Sequence, residues 1–139
     1  MRIATEYNPF CMVVGEPKIG KDTWVGAFTM LDGSGGLTIG ERCNISSGVH
    51  IYTHDTVKRC IENALFDEEG LKNVDAIERS PVSIGDNVFI GANSVLLRGV
   101  SVGSYAVIGA GSVVKVGTEI GNYELWAGNP AKLIKRWMR

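Results

Sequence analysis

A six-residue period runs through this chain and leaves few folds open to it. From Ile84 the sequence cuts into IGDNVF, IGANSV, LLRGVS, VGSYAV, IGAGSV, VKVGTE, IGNYEL and WAGNPA, without a slip of register up to residue 131. The first positions are Ile84, Ile90, Leu96, Val102, Ile108, Val114, Ile120 and Trp126. Glycine follows at Gly85, Gly91, Gly103, Gly109 and Gly121, and the fifth positions (Val88, Ser94, Val100, Ala106, Ser112, Thr118) are small or β-branched. An amphipathic helix would place apolar residues three and four apart, and a half-buried strand would alternate by two and then stop. A period of six instead predicts a short strand and a sharp corner, repeated, with the aliphatic pointing inward on each side of a coil. Stacked coils then hydrogen-bond to one another, which makes a β-solenoid. The 18 glycines beside only 4 prolines agree with many tight corners in a packed structure.

The rhythm continues backwards with one irregularity. Val13, Ile19, Val25 and Leu31 are six apart, as are Ile39, Ile45 and Ile51, and the two sets are offset by a two-residue insertion within DGSGGLT. A bulge or widened corner at residues 32–36 is expected to absorb it. The period fails from Asp55 to Pro81, a charged, glycine-poor excursion of 27 residues that is partly helical in composition. A loop of that length in a compact domain is usually functional or flexible. After Pro130, Lys132, Lys135, Arg136 and Arg139 recur at helical spacing. A short helix over about 130–139 is therefore expected to cap the last coil, whose backbone edge and core are otherwise open.

The length of 139 residues suits one domain, 1–139. A balance of 14 basic against 15 acidic residues, net −1, gives no electrostatic case for binding nucleic acid or an anionic membrane. No apolar stretch approaches the roughly 18–20 residues of a spanning helix, so a soluble cytoplasmic protein without membrane insertion is expected. Cys11, Cys43 and Cys60 are odd in number and lack C-x-x-C spacing, so they read as buried or idle thiols.

Both histidines lie in GVHIYTHDT, just before the period breaks. An imidazole oriented by a carboxylate can take a proton from a hydroxyl near neutral pH, which makes His54 a candidate general base. Asp55 follows it, but neighbours in an extended chain point apart, so Asp55 need not be its partner. The alternative is that His50 and His54 are corner residues without a task. The P-loop pattern is absent, and two histidines four apart on a strand make a poor metal site.

The run Ile84–Val114, the tail AGNPAKLIKR (Ala127–Arg136) and the YTHD segment around His54 together resemble the hexapeptide-repeat acyltransferases. The resemblance covers about Val13 to Arg136 and is greatest to the maltose and galactoside O-acetyltransferase branch, especially the short enzymes that acetylate sugars of surface polysaccharides. It implies an all-β, left-handed parallel β-helix, whereas physical rules alone favour right-handed crossovers. It implies acetyl-CoA as co-substrate, no metal, and direct attack of the acceptor on the thioester with His54 as base. Ala92 and Ala110 would lie against the pantetheine arm, and Lys115, Lys132 and Lys135 near the nucleotide phosphates. Asp32 and Asp55 would contact the acceptor, a hydroxyl or amine of a sugar or nucleotide sugar. The implied assembly is a homotrimer with its sites between subunits. An antibiotic or amino-acid acceptor and a non-catalytic scaffold are the alternatives. A zinc enzyme of the γ-carbonic-anhydrase kind needs three histidines where this chain has 2.

Overall fold

Each inward aliphatic lands on its counterpart from the preceding coil. The computed structural model describes residues 2–4, 8–66 and 76–137. Across them the chain winds as a parallel β-solenoid of about five turns with three faces. Val13, Leu31, Ile51, Leu96 and Val114 form the ladder of the first face. Ile19, Ile39, Ile84, Val102 and Ile120 form the second. Val25, Ile45, Ile90, Ile108 and Trp126 form the third. All fifteen come from the hexad first positions, and all but Ile19 and Trp126 are buried. Each buried aliphatic contributes about 1.5–3 kcal/mol relative to exposure, and the ladders concentrate that gain along one axis.

Glycine plays two separate parts at the corners. The fourth hexad position takes the left-handed conformation, in Asn87, Asn93 and Tyr105 as well as Gly99 and Gly111. The glycine in second position is needed for a different reason. A Cβ on Gly91 would lie 2.4 Å from the backbone nitrogen of Ala110 in the next coil. It is close stacking of coils, rather than the turn itself, that excludes a side chain there.

Spacing along the first face shows where the repeat is interrupted. Val13 and Leu31 pair across eighteen residues, as do Leu96 and Val114. Leu31 and Ile51 pair across twenty, because residues 32–36 widen one corner as expected. Ile51 and Leu96 pair across forty-five, one coil plus the 27-residue excursion. The excursion leaves through His54–Asp55, which pairs antiparallel with the returning Glu78–Arg79. Between them a helix runs over Val57–Phe66, and its first turn is capped by Asp55 Oδ1 accepting from the Val57 amide at 3.1 Å. Residues 67–75 of the excursion lie outside the described residues.

The expected C-terminal helix is not formed. Ala131–Arg136 is a β-strand, antiparallel to Glu124–Gly128 of the last coil. The capping expected of a helix is thus achieved by strand addition, which satisfies the backbone edge that a helix would have left unpaired. Glu124 is buried beneath it and accepts from Gly121 N (2.6 Å), Trp126 Nε1 (3.0 Å) and Arg136 Nε (2.7 Å). The basic residues therefore do not form a helical stripe, and Arg139 lies outside the described residues. Cys11 and Cys43 are buried, and burial pushes both thiols up, whereas Cys60 is exposed. Among the described residues no helix is long and apolar enough to cross a membrane.

Candidate active site

His54 stands at the corner between the first and second faces, one coil above the widened corner 32–36. Strand alternation turns Thr53 inward, fully buried, and leaves His54 outward with its side chain 35% exposed. Asp32 lies under it, 1% exposed. The Asp32 Oδ2 to His54 Nδ1 distance is 2.5 Å, and Ser34 Oγ is 3.3 Å from the same nitrogen. The carboxylate also accepts from the Ser34 amide at 2.9 Å through Oδ1 and from the Thr53 amide at 2.9 Å through Oδ2. Thr53 Oγ1 donates to the Asp32 carbonyl and accepts from the Gly35 amide, locking the two corners together. Burial opposes charge on Asp32, but the bonds from Thr53, Ser34 and His54 outweigh it and hold its carboxyl at about 2.

An ionised Asp32 accepts only, so it fixes the proton of His54 on Nδ1 and leaves Nε2 with a free lone pair. The imidazole borders an open cleft of about 460 Å³ lined by Tyr52, His54, Asp55, Thr56, Val57, Cys60 and Ile61. The floor comes from the coil and the wall from the excursion helix. An oriented, half-exposed imidazole beside such a cleft is suited to accepting a proton from a bound nucleophile. Among the described residues no group of three His, Cys, Asp or Glu gathers as a metal site.

The residues named from sequence fall in different places. His54 is at the cleft. Asp32, expected at the acceptor, is 1% exposed and lies under His54, bonded to its Nδ1. Asp55 borders the cleft, yet its Oδ2 is held by Arg98 Nε at 2.6 Å, which draws its carboxyl below the usual range. Ala92 and Ala110 stack at the corner between the third and first faces, where Gly111 N donates to Ala92 O. Lys115 is exposed at the first-to-second corner, and Lys132 and Lys135 are exposed on the terminal strand. The alanine column and His54 thus occupy different corners of the same prism. Sequence reasoning missed Ser34, Thr53 and Arg98. Arg98 had a signal, being the one long cation among hexad third positions otherwise filled by Asp86, Ala92, Ser104, Ala110, Val116, Asn122 and Gly128.

A three-faced β-solenoid with a carboxylate-oriented histidine at a corner cleft defines the class of protein to which this chain is compared. The family model described as the hexapeptide repeat of succinyl-transferase matches residues 81–115. The N-acyltransferase AntD from Bacillus cereus, solved with dTDP and 3-hydroxybutyryl-CoA, is 28% identical with a TM-score of 0.77, over 94% of this chain and 68% of that one. The hexapeptide-repeat acetyltransferase VCA0836 from Vibrio cholerae O1 biovar eltor, solved with acetyl-CoA, is 26% identical with a TM-score of 0.70, over 88% and 61%. The polysialic-acid-specific acetyltransferase NeuO is 32% identical with a TM-score of 0.66, over 88% and 54%. No curated protein matches the chain. By repeat, fold and these likenesses, the chain is similar to the hexapeptide-repeat acyltransferases.

Proposed function

We propose that this protein is a CoA-dependent acyltransferase that moves an acetyl group to a hydroxyl or amine of a sugar or nucleotide sugar, in the cytoplasm where acyl-CoA is made. The observation that carries the reading is the 2.5 Å contact between the buried Asp32 and His54 Nδ1 at the mouth of a 460 Å³ cleft. The likeness to AntD, solved with a nucleotide and an acyl-CoA, and to NeuO, an acetyltransferase of polysialic acid, supports a carbohydrate acceptor and a place in surface polysaccharide synthesis, lipopolysaccharide included.

In this reading the thioester supplies an activated acyl carbon and a good leaving group. His54 Nε2 takes the proton of the acceptor hydroxyl as its oxygen attacks, and the imidazolium gives that proton to the departing thiolate. Asp32 stays ionised throughout and stabilises the imidazolium. Atoms balance without an acyl-enzyme. A pantetheine arm is thin and needs small side chains beside it, which the Ala92–Ala110 column provides, and the exposed Lys132 and Lys135 suit phosphates. In this reading the donor is held by one subunit and deprotonation is done by another, in a homotrimer as the family resemblance implies, and the separate corners of that column and His54 agree with it. Calorimetry with acetyl-CoA, followed by a transfer assay over amino and hydroxy sugars, tests this. Binding in the micromolar range and transfer abolished by His54→Ala support it. Absence of binding overturns it in favour of a scaffold, and transfer undiminished in His54→Ala overturns the base assignment.

A further inference from the structure

Arg98 projects from the coil next to His54 and bonds three residues at once. Its Nε donates to Asp55 Oδ2 at 2.6 Å, Nη2 to Glu78 Oε2 at 2.5 Å and Nη1 to Ser80 Oγ at 3.2 Å. Asp55 is the outgoing end of the excursion, and Glu78 and Ser80 are the returning end. The two ends are themselves a short antiparallel ribbon in which Glu78 faces Asp55 and Arg79 faces His54. Asp55 Oδ1 meanwhile caps the helix Val57–Phe66, so the same carboxylate ties Arg98 to the wall of the cleft. A second hollow of about 410 Å³, lined by Asp55, Val57, Lys58, Ile61, Glu78 and Arg98, adjoins the first across the helix start.

An isolated ion pair at a surface contributes little, because two flexible chains are ordered for one screened contact. The Arg98 guanidinium differs in that one planar fork closes both ends of a 27-residue segment on a rigid coil. We propose that Arg98 is the positioning residue of the acceptor cleft: it holds the excursion helix over His54 and thereby sets acceptor affinity without touching either substrate. This rests on the acyl-transfer reading for its kinetic arm only. Within one chain the donor column at Ala92 and Ala110 lies on a different corner from the clamp.

The test uses the intact protein with Arg98→Ala and Arg98→Lys, read by amide hydrogen exchange without substrates and by separate KM values for acceptor and donor. For Arg98→Ala, losing charge-assisted bonds is expected to raise exchange in Val57–Phe66 and acceptor KM by about tenfold or more, with donor KM within about twofold. Arg98→Lys keeps the charge but not the fork and falls between. Glu78→Gln, which removes one arm at an exposed residue, shows a smaller change of the same pattern if Arg98→Ala does not fold. Exchange unchanged in the helix, exchange raised equally throughout the solenoid, or parallel rises in both KM values overturn the proposal. If the wild type transfers no acyl group to any sugar, the functional reading fails while the exchange arm still decides the clamp.

Discussion

Asp32 does two things for His54, and they separate by pH. It selects the Nδ1–H tautomer, and in the proposed reaction it stabilises the positive charge that forms on the ring. Asp32→Asn is therefore expected to lower kcat by about a hundredfold to ten-thousandfold, as His54→Ala does, since general-base catalysis supplies about that much. The carboxyl titrates at about 2 in the folded chain against an ordinary 3.8. A depressed carboxyl contributes stability that is full above the unfolded value and is lost as pH falls through the folded one. The wild type should thus exceed Asp32→Asn by about 2 kcal/mol in denaturant unfolding near neutral pH, and the gap should close as pH drops from about 4 to about 2. A gap that persists undiminished at the acid end contradicts the assignment. At this scale His54 stood out in the sequence as one of two histidines placed just before the period breaks. Its partner did not, because Asp32 is twenty-two residues earlier and reaches His54 only through coil stacking. The insertion at residues 32–36 was the available signal. It read as a bulge that restores register, and it proves to be the support of the histidine.

The hexad elements make separable demands on glycine. Gly91→Ala places a Cβ against the backbone of Ala110 and is expected to cost about 1–3 kcal/mol by overpacking, with a lowered Tm in a thermal melt. Gly111→Ala meets nothing within 4 Å and strains only a left-handed backbone, for about 1–2 kcal/mol. A double substitution should be nearly additive only if the neighbouring corners relax independently. The terminal strand offers a different check. Ending the chain at Pro130 uncovers the edge of Glu124–Gly128 and leaves the buried Glu124 without Arg136, so stability should fall by about 1–3 kcal/mol. Helical spacing of the basic residues misled because spacing records which residues share a helix face if a helix forms. An unpaired strand edge next to Ala131–Arg136 offered backbone partners for an extended chain and decided the outcome.

For the molecule as a whole, the proposed homotrimer, with His54 and the Ala92–Ala110 column brought together from different subunits, would tie activity to assembly. Mixed trimers of His54→Ala with Lys132→Ala/Lys135→Ala should recover activity that each variant lacks alone, because one subunit type brings the base and the other the phosphate contacts. Activity no greater than the sum of the two separate variants would mean that each chain carries a complete site. The sequence by itself determined the solenoid, its aliphatic ladders and the place of the excursion. These follow from a local period, since burial of every sixth side chain is decided by the chain's own neighbours. Only the tertiary structure decided that Asp32 supports His54, that Arg98 clamps the excursion and that the last segment is a strand. Those contacts join residues whose proximity depends on how many residues each corner and loop contains, a length that stacking converts into register and that no periodicity records.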